Sequence, residues 1–261
     1  MQSLQLKQQA TLPIKPVCSK ESLALTMPLL SQSETNELLL SCGCLGPDPS
    51  SQHFTKRTKS IAYVMCIEGQ WFQLRADFFS QPQKYNDFSG GYKRFYRELP
   101  SDFLQCQATQ KVLSSFQKSH GIPEKELILV QVQTSHINHH NHTQCLTGQG
   151  IHSDGADRAM LVCLQRENIT HAENAIYRDL SGHRAVLDPF VLKEGHGLLW
   201  HDNRLFHYVA PAQLKNPQMD GSRTVLIAHY PAFHYLSGKI NPNNTLGTNQ
   251  VALNKRLRLR H

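Results

Sequence analysis

Apolar and polar positions change period several times along this chain. Ile61-Ala62-Tyr63-Val64-Met65-Cys66-Ile67, a break at Gly69, and Trp71-Phe72-Gln73-Leu74 read as two strands of a hairpin. Residues 101–120 instead carry Phe103, Leu104, Val112, Leu113 and Phe116, which predicts one amphipathic helix stopped by Gly121-Ile122-Pro123. Leu127-Ile128-Leu129-Val130-Gln131-Val132-Gln133-Thr134 returns to a buried strand whose end turns polar. Strand-like runs then follow at 160–164, 175–177, 185–187, 197–201 and 224–228, several of them separated by turns at Gly182, Gly195 and Gly221. Short strands at this density predict a mainly β fold, a sandwich or barrel with few flanking helices.

The remaining stretches are less regular. Residues 1–20 read as a loose polar arm, and Ser33-x-x-Asn before Glu37-Leu38-Leu39-Leu40 predicts a short capped helix. Residues 42–60, with Gly43, Gly46, Pro47 and Pro49, read as loop. In Tyr92-Lys93-Arg94-Phe95-Tyr96 aromatic and basic residues interleave. This predicts a strand closing the mouth of a pocket, with nucleobase stacking as the competing use.

With 261 residues, 39% apolar and 18% charged, the chain is expected to form one domain around one core. No run reaches the eighteen or so apolar residues of a membrane span, and the N-terminus lacks a signal-peptide pattern. A cytoplasmic protein is therefore expected. The net charge of +7 suggests a nucleic-acid partner until it is located: Lys255, Arg256, Arg258 and Arg260 supply four of it, leaving +3. A solvated basic end is the simpler reading, so the expected partner is a small molecule. Oligomeric state leaves no mark in the sequence. Seven scattered cysteines without a C-x-x-C pair point to reduced thiols, and Cys42-Gly43-Cys44 is too tight for a usual zinc pair.

The candidate chemistry sits in Gly150-Ile151-His152-Ser153-Asp154-Gly155. In extended backbone, residues two apart point to one face, so His152 and Asp154 can grip one metal ion together. A second histidine completes the two-His, one-carboxylate facial triad that leaves open positions on Fe(II). His207, roughly fifty residues on where a strand ends in a polar turn and returns, is the candidate, with His201 and His229 as rivals. Arg223 opens the strand Thr224-Val225-Leu226-Ile227-Ala228 sixteen residues later, where a guanidinium can clamp a carboxylate bidentately. Gln131 and Gln133 share a strand face, so either can line a pocket. Four histidines between 136 and 142 invite a zinc reading, but their spacing favours a polar loop beside the site. The sequons at Asn141, Asn168 and Asn243 mean little without a secretion signal.

These motifs resemble the bacterial Fe(II)/2-oxoglutarate-dependent dioxygenases that include L-isoleucine dioxygenase. The likeness extends over roughly residues 59–235. Phe78-Phe79-Ser80-Gln81-Pro82-Gln83-Lys84-Tyr85-Asn86, then Gly90-Gly91 and Arg94-Phe95, look like that family's Y-F-x-x-K-E-Y-N stretch with its double glycine. Ile151-His152-Ser153-Asp154 matches its H-x-D, Phe206-His207-x-Val209-x-Pro211 its F/M-H-x-V-T-P, and Ser222-Arg223-Thr224-Val225-Leu226 its R-D-x-L. Two places depart: Gln133-Thr134-Ser135 replaces Gln-x-Arg, and His171-Ala172-Glu173 replaces Gly-Gly followed by an acid. The resemblance implies a double-stranded β-helix (jelly roll) core at 59–235, with 1–58 packed on it as an extension and 241–261 as a tail. It implies Fe(II) on His152, Asp154 and His207, 2-oxoglutarate on Arg223 with Gln133 as a further contact, and O2 as oxidant. The implied reaction hydroxylates a free L-amino acid or a derivative, releasing succinate and CO2. Competing expectations are a hydroxylase or demethylase of nucleic acid or protein, a non-catalytic metal-binding jelly-roll module, and a zinc protein built on the histidine loop.

Overall fold

The apolar runs assemble chiefly into one large, strongly alternating sheet. The computed structural model describes residues 22–51, 56–75, 78–87, 90–140 and 143–232. The N-terminal arm and the basic tail, with the sequons at Asn141 and Asn243, lie outside the described residues. The first part of the chain forms β1 (Ala24–Pro28), α1 (Gln32–Ser41), β2 (Gly46–Pro47), β3 (Arg57–Ile67), β4 (Gln70–Leu74), β5 (Arg97–Glu98), α2 (Ser101–Gln105) and α3 (Gln107–His120). Then come β6 (Leu127–Ile137), β7 (Thr143–Gln144), β8 (Arg158–Glu167), β9 (Ile169–His171), β10 (Glu173–Tyr177) and β11 (Ala185–Val191). The last described strands are β12 (His196–Trp200), β13 (Phe206–Val209), β14 (Ala212–Leu214) and β15 (Gly221–Tyr230).

The large sheet runs β1-β12-β8-β15-β6-β3-β2, with β4 and β5 also on β3. Two three-stranded sheets, β11-β10-β13 and β7-β14-β9, complete the fold. Among the strand pairings of the described residues, only β3 with β5 is parallel. Facing antiparallel sheets of this kind make the expected mainly β jelly roll. The expected hairpin is present, with Tyr63 opposite Leu74 and Ile67 opposite Gln70. β1 pairs with β12 from Ala24–Trp200 to Pro28–His196, so it enters the large sheet as an edge strand.

Period-two alternation sends the two faces of the large sheet to different surroundings. Ala62, Val64 and Cys66 of β3, Ile128, Val130 and Val132 of β6, and Leu226 and Ala228 of β15 join one apolar core. The same core takes Leu38 of α1, Phe103 of α2, and Val112, Leu113 and Phe116 of α3. On the other face the same strands present Lys59, Gln131, Gln133, Arg223 and His229, all buried.

The helical layer differs from expectation in two details. Residues 101–120 form two helices, because Cys106 takes extended backbone (ψ 125°). Phe103 and Val112 stand nine residues apart, about two and a half turns, so one continuous helix would point them to opposite sides. The break lets both face the sheet. The N-cap of α1 is Ser31, not Ser33: its hydroxyl accepts from Glu34 N–H while the Glu34 carboxylate accepts from Ser31 N–H. The helix stop after α3 is as expected, with Gly121 left-handed at φ +61°. Where the glycine pair of the resembling family would stand, His171 and Ala172 adopt φ +56° and +58°. Two side-chain-bearing residues thus hold a conformation that glycine adopts more easily.

Candidate active site

The segment before β8 reaches the pocket through a single bridge rather than a strand. His152 N–H donates to His207 C=O at 3.0 Å, and His207 N–H donates to His152 C=O at 2.8 Å. That pair locks the segment onto β13 and sets the two imidazoles 4.1 Å apart, centre to centre. Asp154 completes the cluster, with Oδ1 at 3.7 Å from His152 Nε2 and Oδ2 at 3.7 Å from His207 Nε2. One ligand atom from each residue lies within 4.8 Å of the others. After them Gly155 turns at φ +89°, and a Cβ there would collide with the Tyr85 ring.

The surrounding groups prepare these atoms for a cation. His152 Nδ1 lies 2.9 Å from Gly150 C=O. A carbonyl only accepts, so the proton sits on Nδ1 and the Nε2 lone pair is left toward Asp154. His229 Nε2 donates to Asp154 Oδ2 at 2.9 Å, and its Nδ1 accepts from Gln131 Nε2 at 3.1 Å. Asp202, buried behind the triad, accepts from the backbone N–H groups of Gly155 (2.9 Å) and Ala156 (3.0 Å). It also accepts from Ser153 Oγ and Trp200 Nε1, both at 3.0 Å, and stands 3.6 Å from His207 Nδ1.

Burial, then the neighbouring His207, lowers the pKa of His152 to about 4. Burial would raise the Asp154 carboxyl, but His207 and His229 outweigh it and hold the group well below the usual range. Burial pushes His207 down, yet the Asp154 and Asp202 carboxylates win and raise it. The donor set is two imidazole nitrogens and an ionised carboxylate, which fits Fe(II).

Arg223 lies in the same pocket wall, 4% exposed. Its Nη2 donates to Asn174 Oδ1 of β10 at 3.3 Å, while its buried Nε–H has no hydrogen-bond partner among the described residues. A buried guanidinium with an unmet donor fits a carboxylate ligand. Gln133, Ser135 and Gln131 line the adjoining wall.

The sequence matches the 2OG-Fe dioxygenase family over residues 42–229. The chain belongs to that family. It is therefore an oxidoreductase that uses Fe(II), 2-oxoglutarate and O2. No curated protein matches the sequence. A BsmA homologue from Methylobium petroleophilum PM1 has a similar structure, with TM-score 0.64 and 18% identity over 85% of this chain and 91% of that one. IDO from Bacillus thuringiensis is similar with TM-score 0.62 and 12% identity over 80% and 90% of the two chains. The Fe(II)/α-ketoglutarate-dependent dioxygenase TqaL follows with TM-score 0.54 and 13% identity over 79% and 82%. These likenesses concern the fold.

The dioxygenase places the other candidates away from the triad or in support of it. His201, a rival ligand by sequence, instead packs its ring 5.7 Å from that of His120. His229 supports Asp154 through a hydrogen bond. Of the histidines expected in a loop, His136 instead lies on β6, its Nε2 3.2 Å from Thr58 Oγ1, and His139 Nδ1 meets Asp220 at 2.7 Å. His142 lies outside the described residues. The triad is the one cluster of His, Cys, Asp or Glu among the described residues that converges closely enough to hold a metal ion. Cys42 and Cys44 are free thiols. No described helix is long and apolar enough to cross a membrane.

Sequence reasoning overlooked Arg57 and Lys59 in the pocket wall and expected Arg94 on a strand at the pocket mouth. The expected strand at Tyr92–Tyr96 is absent: Arg94 makes an isolated bridge to Phe79, and Tyr92 and Phe95 stay exposed. Arg94 itself is buried over the Phe79 ring at 4.5 Å and lines the pocket with Lys59 and Arg57. Lys59 and Arg57 fall in a stretch read largely as loop, yet both belong to β3. The usable signal was period two: Arg57 and Lys59 share parity with Ile61 and Tyr63 on the face away from the helices.

Proposed function

We propose that His152, Asp154 and His207 hold the Fe(II) of this dioxygenase. We propose further that Arg223, with Gln133 beside it, binds the distal carboxylate of 2-oxoglutarate. What carries the reading is the convergence of the triad's donor atoms within 4.8 Å in the pocket whose wall contains buried Arg223. Bound iron supplies O2 activation coupled to decarboxylation of the 2-oxo acid, with succinate and CO2 released. The protein's own groups orient and shield. His229 and Gln131 hold the Asp154 carboxylate, Asp202 pins the backbone of 154–156, and Asn174 steadies Arg223. Outer partners of this kind fix ligand orientation.

The substrate in this reading is a small carboxylate-bearing molecule, an amino acid or a derivative of one, oxidised in a single cytoplasmic catalytic domain. The test loads Fe(II) under argon, admits O2, and follows succinate formation from 2-oxoglutarate across the L-amino acids and their N-acyl derivatives. Stimulation by one compound supports the reading; bound iron without 2-oxoglutarate turnover sinks it. His152→Ala is expected to lower iron affinity more than about 100-fold, beyond the effect of removing an outer partner. Arg223→Ala is expected to raise the 2-oxoglutarate concentration needed for half-maximal rate by about 10-fold or more, because the distal carboxylate then has no charged donor to bind. An unchanged requirement removes Arg223 from that role.

A further inference from the structure

We propose that Lys59 forms a second anion subsite in the pocket, one that takes the carboxylate of the substrate. The substrate is then an organic acid whose nitrogen, where it has one, is acylated or otherwise uncharged. This rests on the dioxygenase site described above and narrows its substrate.

Lys59 lies on β3 with only 6% of the residue exposed, and it lines the pocket that contains the triad. Its ammonium lies 4.8 Å from the centre of the Tyr96 ring and 5.5 Å from that of Phe79. Aromatic faces compensate a buried cation only in part. No ion pair among the described residues involves Lys59. The acid that most influences it, Asp48, is already engaged: Arg57 Nε bonds to its Oδ2, and its Oδ1 accepts from Ser50 N–H (2.9 Å) and Oγ (2.6 Å). Burial lowers the Lys59 pKa to about 7, as expected where desolvation outweighs the attraction of Asp48. A buried ammonium without an acceptor among the described residues, facing a ligand pocket, is complementary to an anion.

That anion is distinct from the one assigned to Arg223. Lys59 pairs with Gln133 on β6, and Gln133 pairs with Val225 on β15, two residues beyond Arg223. Two strand spacings and that offset separate the backbones of the two cations by on the order of 10 Å. The co-substrate therefore occupies the Arg223 end, and Lys59 is left to the molecule being oxidised.

The wall also bears on what the substrate lacks. Asp154 is the one acid lining the pocket among the described residues, and it is assigned to the metal. An ammonium group would find no carboxylate, whereas Gln149, whose Nε2 donates to Tyr85 C=O at 2.9 Å, offers its Oε1 as an acceptor for a neutral amide N–H. Leu161, Leu198 and Ile227 supply apolar wall for a hydrocarbon part.

The experiment uses the full chain loaded with Fe(II) and saturating 2-oxoglutarate under argon. The visible charge-transfer band of that pair reports the iron site independently of any third ligand. Calorimetric titration then compares 4-methylpentanoate with 4-methylpentanamide, and N-acetyl-L-leucine with L-leucine. 4-Methylpentanoate is expected to bind about 10-fold or more tighter than its amide, the scale of one charge-assisted hydrogen bond, and N-acetyl-L-leucine to bind tighter than L-leucine, whose ammonium would be desolvated without a counter-charge. Lys59→Met is expected to erase the advantage of 4-methylpentanoate over its amide, and Lys59→Arg, which keeps the charge, to retain most of it. Equal binding of L-leucine, failure of both acids to bind, an unchanged preference of Lys59→Met for 4-methylpentanoate over its amide, or a Lys59→Met effect confined to 2-oxoglutarate affinity would each overturn the assignment. Absence of the band instead indicts the iron reading, since it does not depend on Lys59's ligand.

Discussion

The two faces of β3, β6 and β15 share a backbone and differ in almost everything else. One face meets three helices through Val64, Val130, Leu226 and their neighbours in a dry core. The other places Lys59, Gln131, Gln133, Arg223 and His229 around a pocket, buried but polar. The difference teaches where this fold stores stability and where it stores chemistry. Apolar burial against helices offsets the cost of holding polar and charged groups out of water on the opposite side. Strand geometry makes the division possible, because alternate residues cannot exchange faces without a register slip.

Damage to the dry face is expected to have the largest effect. Phe116→Ala removes a fully buried ring of α3 and is expected to cost about 3–5 kcal/mol in urea unfolding. Iron affinity of the remaining folded protein should stay as it was; a parallel fall in iron affinity would mean that the faces are not separable. A smaller effect is expected behind the triad. Asp202→Asn keeps the shape but weakens the hold on 153–156 and His207, so iron affinity should fall about 10- to 100-fold with little change in folding. Large unfolding instead would place Asp202 with the structural face.

The smallest effect is a slope. Lys59 is surrounded by Asp48, Arg57, Arg94 and Asp154, and its pKa falls from 10.5 in the unfolded chain to about 7. Between those values the unfolded chain keeps the proton that the folded chain has given up, so stability of the metal-free protein rises with pH across that window. The contribution is at most about 1.4 kcal/mol per pH unit. Urea unfolding at about pH 7, 8 and 9, inside that window, should show wild type gaining on Lys59→Met; parallel profiles would mean that Lys59 is not held in a dry place.

Much of this was legible locally. Apolar runs placed the hairpin and the central strands, and Gly121 ended the helix because only its left-handed turn was needed there. The i, i+2 spacing of His152 and Asp154, with His207 and Arg223 downstream, named four side chains that fall in one pocket. The helix break at Cys106 was not legible, since it answers to where Phe103 and Val112 must point once the sheet exists.

What the sequence alone determined, then, was the period of each segment and the kinds of side chain able to bind a metal or a carboxylate. Tertiary structure decided which of them do related work. His201 and His229 are equally plausible ligands in sequence, but register on β15 sends His229 to Asp154, while the end of β12 turns His201 toward His120. Lys59 reads as an ordinary surface lysine until β6 and β15 are placed beside β3. Burial and field are sums over neighbours distant in the chain, and no local pattern contains them.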